Sequence, residues 1–322
     1  MKERNHYERE SLLPGTRHLV SEIERQSGRP IEIRADPAIR GRGRAMYAVT
    51  DPDPTRHLIL YDPAEARHLD HLVAHECGHI MRFAESRPEA RAVPLVTAAH
   101  RTSAARQLLP ELSRLVESGV PEAAVAELLP LWTGGIVAQI ADTPSDVWIE
   151  RRLWRDHPFL RGWQAESLGE QIQQGSLALR PVIAAFTPEP VWRASNSMNY
   201  VLAKATSALV SQPELIRPYR GTSAQRLGEE LLEMVEARGD AGLAGDRAVS
   251  NQWAETLDVR DWFSWTTLGA LPAGVQRGWE VRKGGSENWG RSWRRYVGGS
   301  ARPTGTYAVR TTSPRTWAGS TR

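Results

Sequence analysis

Apolar residues recur at three- and four-residue spacing along most of this chain and alternate with polar ones only in short runs near its start. Leu12 to Ser27 carries Leu12, Leu13, Leu19, Val20 and Ile23 on one side, which predicts an amphipathic helix ended by Gly28 and Pro30. Three runs follow: Ile31–Arg34, Ala45–Val49 and His57–Tyr61. Each alternates at least partly, and Asp-Pro and Gly-Arg-Gly turn signals separate them, so they predict a small, mainly antiparallel sheet. Asp62-Pro63 then opens a long helix predicted to run to Glu85, with Pro63 suited to its first turn. Beyond Pro88 the helical period persists near Val93–Ser118, Pro121–Ile140 and Pro144–Trp154, with breaks expected at Pro110, Pro121, Pro130 and Pro144. Further helices are predicted around Leu168–Ala185, Ser197–Val210 and Ser223–Arg238. No internal repeat of fixed period is visible.

Composition narrows the class. At 322 residues, 40% hydrophobic and 25% charged, the chain matches a globular protein with a sizeable core rather than a disordered one. The single cysteine, Cys77, excludes an intramolecular disulfide framework and fits a reducing compartment. The charged N-terminus is not a secretory signal, and no run reaches the roughly 18 apolar residues that span a bilayer. A cytoplasmic location without membrane contact is therefore expected. The net charge of +3 hides an asymmetry: Gly274–Arg322 holds ten Lys/Arg against two Glu, which leaves the remainder near −5. That segment, rich in Gly and Ser and carrying Trp279, Trp289, Trp293 and Trp317, is expected to be a flexible basic tail. Its charge could meet nucleic acid, but tryptophans here are more often packing residues, and no nucleic-acid partner is expected.

The chemistry is concentrated in His75-Glu76-Cys77-Gly78-His79, a H-E-x-x-H sequence. On a helix, residues i and i+4 share a face, so His75 and His79 can aim both imidazoles at one ion. Glu76 sits just off that line, where its carboxylate can act as general base toward a metal-bound water. His71 continues the line at the same spacing and reads as a surface residue or one behind the ligands. His68 reads as incidental and Cys77 as a small buried residue. A zinc site needs a further ligand. The strongest candidates stand in Ser145-Asp146-Val147-Trp148-Ile149-Glu150, where Ser145 can cap a helix and Asp146 and Glu150 fall on one face. Either could bind the ion while the other accepts a hydrogen bond from a ligand histidine. Glu85, Asp70 and Asp142 are weaker alternatives, and no further histidine follows the motif as a metzincin would require.

With these residues in hand, the chain resembles the gluzincin-like metallopeptidases, especially their minimal cytoplasmic members. The resemblance covers roughly Leu12 to Trp163 and rests on the H-E-x-G-H form at His75–His79 and on the string from Ser145 to Glu150, similar to an A-D-x-x-I-N signature. It implies an α+β fold in which a small sheet and the motif helix form a unit over 12–163. A helical region over 164–273 and the tail over 274–322 would follow. It also implies Zn2+ as cofactor, a protein or peptide substrate presented along an edge strand such as His57–Tyr61, and Asp146 as ligand with Glu150 as its partner or alternative. An oxyanion stabiliser is expected too, with His157 and Tyr200 the candidates considered. Hydrolysis of peptide bonds is the expected activity. The competing expectation is a catalytically inactive zinc-binding scaffold that recognises a partner, against which the intact Glu76 argues.

Overall fold

The computed structural model describes residues 9–37, 39, 43–46 and 55–267, with the backbone alone for 43–46. The expected tail over 274–322 lies outside the described residues, as do Tyr47 to Val49 of the second expected strand.

Helix α1 (Pro14–Ser27) starts on a proline, whose missing N–H would be unpaired there anyway, and stops at Gly28 with φ of 67°. Leu19, Val20 and Ile23 are buried along its inner face. Strands β1 (Ile31–Ala35), β2 (Gly43–Met46) and β3 (His57–Tyr61) form one sheet in the order β1-β3-β2. β3 runs parallel to β1 and antiparallel to β2, so the sheet is mixed and not mainly antiparallel. The reason is that β3 is apolar on both faces. Ile59 and Tyr61 enter the main core while Leu58 and Leu60 pack beneath Ile39, and such a strand belongs in the middle of a sheet. His57–Tyr61 therefore offers no edge to a substrate; β1 and β2 are the outer strands.

Asp62 caps a 3-10 turn over Pro63–His68 by accepting from Ala64 N at 2.9 Å, and only at Leu69 does α-helix α2 (Leu69–Glu85) begin. Strand β4 (Ala92–Leu95) precedes α3 (Ala98–Glu117), which Thr97 and His100 open as a reciprocal cap. The breaks expected at Pro110, Pro130 and Pro144 do not occur: α3 runs through Pro110, and α4 runs unbroken over Glu122–Asp156, 35 residues. A proline leaves the carbonyl four residues earlier unpaired. For Pro144 that carbonyl belongs to Ile140, and Ser250 Oγ lies 2.8 Å from it. For Pro130 it belongs to the exposed Ala126, where water can serve. Ser145 accordingly caps nothing, and its hydroxyl donates to Asp142 O within the helix.

Helices α5 (Arg161–Ser176), α6 (Pro181–Ala185), α7 (Glu189–Val210), α8 (Ser223–Arg238) and α9 (Gly242–Thr256) follow, and β5 (Ser264–Thr267) pairs antiparallel with β4. The architecture is α+β with a helical bulk. Two cores share α4. Its Val125 to Val147 stretch packs with α3, α7, α8 and α9, while Ile149 and Leu153 join α1, α2 and the sheet. The boundary expected after residue 163 falls inside α5. By length and composition α4 could cross a membrane, although 56% of its most apolar window is buried in this fold.

The α2–α4 contact is unusually close at Gly78. A Cβ there would stand 2.6 Å from Ile149 Cγ2, inside a fully packed core. Gly78→Ala should therefore destabilise the chain by about 1–3 kcal/mol, less the ~1 kcal/mol that alanine contributes to helix propensity. It should also shift α4, and Asp146 on it, outward from α2. Thermal unfolding of the variant tests this; an unchanged melting temperature would contradict the packing argument.

Candidate metal centre

Residues from two helices converge at one point. His75 and His79 stand one turn apart on α2, and their Nε2 atoms are 3.2 Å from each other. From α4, Asp146 Oδ1 lies 3.2 Å from His79 Nε2 and 3.6 Å from His75 Nε2. Donors held 2.0–2.1 Å from a tetrahedral zinc ion are roughly 3.3–3.4 Å apart. The three atoms thus match one face of a zinc coordination tetrahedron, and these three residues form a group able to hold a metal ion. Glu76, on the next position of the same helix, is 7% exposed and acts electrostatically on His75.

Glu150 does not join that triangle. One helical turn past Asp146, its Oε1 is 2.7 Å from His75 Nδ1. A carboxylate can only accept, so Nδ1 carries a proton, and it is Nε2 that faces Asp146 and His79 and becomes a lone pair once its own proton leaves. The two carboxylates thus divide as the sequence spacing allowed, with the shorter one at the centre. Burial by itself would favour neutral forms of both members of this pair. At Glu150 that effect is outweighed by the charge and hydrogen bonds of His71 and His75, which hold its carboxyl well below the usual range. At His75 the metal-free imidazole is likewise disfavoured as a cation by burial, yet the Glu150 hydrogen bond and the charges of Glu150, Asp146 and Glu76 push it up to about 10.

The remaining expected residues are placed elsewhere or differently. His71 is not a surface residue: at 2% exposure it bonds Glu150 through Nε2 and Ser167 Oγ through Nδ1. Cys77 is fully buried on the far side of α2, where burial pushes its thiol up, out of reach of metal chemistry at neutral pH. His157 lines a cleft on that far side with Cys77 and Gly78, and Tyr200 is buried among Tyr219 and Gly228 with its hydroxyl on Glu229, so neither faces the centre. Asp70 accepts from Leu13 N at 2.7 Å, tying down the start of α1. Glu85 pairs with Arg152 on the surface at 3.3 Å. Asp142 lines a small cleft beside His79 with Ser145, Asp246 and Arg247.

A second group, His68, Glu166 and Glu170, also gathers possible ligand atoms. There His68 Nε2 lies 3.1 Å from Glu170, which also pairs with Arg67. Glu170 is thus shared between an imidazole and a guanidinium, a cation that competes with any metal ion for its carboxylate. Comparison of the chain with family models, with curated proteins and with solved structures finds no match in any of the three. What the centre can do must therefore be read from its own geometry.

The raised His75 has a measurable consequence. Its proton is bound at neutral pH in the metal-free chain and must leave before Nε2 can coordinate. If the centre takes zinc, uptake at pH 7 should release about one proton per chain, and apparent affinity should climb roughly tenfold per pH unit until pH approaches the His75 value. Calorimetry in buffers of different ionisation enthalpy measures the release. Heats independent of the buffer would show that His75 is already neutral.

Proposed function

We propose that this protein is a zinc-dependent metallopeptidase of gluzincin-like type, with His75, His79 and Asp146 as ligands and Glu76 as general base. The observation that carries the reading is the triangle of His75 Nε2, His79 Nε2 and Asp146 Oδ1, with sides of 3.2, 3.2 and 3.6 Å, backed by Glu150 on the other nitrogen of His75. A structural zinc site has no use for a carboxylate at position 76. Here Glu76 lies beside the ligands, buried enough for its charge to reach His75.

A zinc ion bound there would supply Lewis-acid polarisation and a more acidic water. The protein's own part is then proton handling. Glu76 takes a proton from the water as its oxygen attacks the peptide carbonyl carbon, and returns it to the amine nitrogen as the carbon–nitrogen bond breaks. His75, held by Glu150, keeps one tautomer throughout. The substrate class that suits this chemistry is a protein or peptide in extended form. The outer strand β2, whose free edge meets no other strand among the described residues, and the cleft beside His79 are the surfaces next to α2 that could receive it.

Three substitutions separate the roles. Glu76→Gln should keep the metal and the fold and lose about 10²–10⁴-fold in turnover of a peptide-library substrate. Asp146→Ala should strip the metal, whereas Glu150→Ala should weaken it by about 10–100-fold. Metal analysis and digestion assays on the purified chain decide the matter. Full activity in Glu76→Gln would remove the mechanism, and reversed severity at 146 and 150 would make Glu150 the ligand.

A further inference from the structure

Glu150 can serve His75 only if its carboxylate stays in place, and the groups that hold it lie outside the metal motif. His71 Nε2 is 3.1 Å from Oε1 and 3.0 Å from Oε2. Gln164 Nε2, from α5, is 2.6 Å from Oε2 and 2.8 Å from the carbonyl oxygen of Glu150 itself. Both His71 and Gln164 are essentially shut off from water, at 2% and 0% exposure. His71 is anchored in turn by Ser167 Oγ, 2.7 Å from its Nδ1 and also on α5. Because an ionised carboxylate only accepts, the His71 and Gln164 nitrogens are donors. Together with His75 Nδ1–H they place three N–H groups on two oxygens.

We propose that His71, together with Gln164 and Ser167 of α5, forms a positioning relay that sets metal affinity by holding Glu150 against His75. This rests on the reading of His75, His79 and Asp146 as ligands. The joints from Glu150 to His71 and Gln164, and from His71 to Ser167, are hydrogen bonds between buried groups, where a missing partner is costly and a satisfied one restricts rotation. Without His71 and Gln164 the Glu150 side chain has other rotamers open to it, and the 2.7 Å bond that orients His75 loses its fixed acceptor. Helix α5 thereby becomes part of the metal centre although it contributes no ligand.

The test uses the full chain with His71→Leu, Gln164→Leu and Ser167→Ala, plus His71→Gln as the conservative variant that restores an N–H donor. Zinc affinity is measured by chelator competition, and the visible spectrum of the cobalt(II)-loaded chain reports ligand geometry. Thermal unfolding of the metal-free chain runs alongside. The expected result is about tenfold weaker zinc binding for His71→Leu and Gln164→Leu, at the low end of what losing a direct partner of a ligand costs. A shifted cobalt spectrum and substantial recovery in His71→Gln should accompany it. Ser167→Ala removes one hydroxyl and leaves the helix intact, so it should weaken zinc less but in the same direction, and it decides the matter if His71→Leu fails to fold. Zinc affinity within about twofold of wild type in these variants, with only the melting temperature lowered, would make the cluster plain packing and overturn the relay. A wild-type chain that binds no zinc would instead overturn the metal reading itself.

Discussion

Helices α2 and α4 meet where Gly78 leaves room for Ile149, and that contact sets the distance from which Asp146 and Glu150 address the two histidines. A tetrahedral zinc site tolerates ligand displacements of only a few tenths of an ångström. A methyl group at position 78 would already intrude to 2.6 Å from Ile149. The contact is buttressed on both sides by apolar packing, with Val73, Cys77 and Ile80 from α2 and Leu153 from α4 nearly or fully buried. His75, His79 and Asp146 are thus held by helix-to-helix packing, which is stiffer than any loop.

Polar ties fix α2 along its whole length. At its start Asp70 receives the Leu13 N–H of the segment leading into α1. In its middle Glu150 joins His71 to His75. Near its end the buried Arg82 grips Asp246 of α9 and also reaches Asp240 just before that helix. Burial raises the Asp246 carboxyl to about 6 even against the pull of Arg82, a sign of how dry that joint is. Buried pairs of this kind add little net stability, but breaking one leaves an uncompensated charge, so they specify one arrangement of helices over its neighbours.

The same geometry explains why the helical half is not an appendage. α4 belongs to both cores, α5 holds the carboxylate behind His75, and α9 closes the cleft beside His79 along with β4 and β5. A peptidase reading needs a fixed metal, a nearby base and a surface that receives extended chain. Under the proposal, the motif helix would supply the base and the sheet the receiving surface, while the helical half holds Asp146 and the packing that fixes it.

Local pattern was enough to locate α1, α2 and α8, because one-sided apolar periodicity and capping residues act within a few positions of where they stand. It was also enough to place His75 and His79 one turn apart on α2 with Glu76 beside them, since the i, i+4 geometry of a helix is a property of the segment alone. The pairing of Asp146 with Glu150 was legible as a choice between two carboxylates but not as an answer. Which of them reaches the centre depends on how far α4 stands from α2. The unbroken course of α4 through Pro144 was hidden for a similar reason: the hydroxyl beside the freed carbonyl of Ile140 belongs to Ser250, 110 residues away. The parallel pairing of β3 with β1, and the roles of His71, Gln164 and Ser167, likewise follow from contacts between distant segments. Helical period and motif spacing are local and could be read along the chain; partners of buried polar groups are chosen by tertiary packing, and only the folded chain decides them.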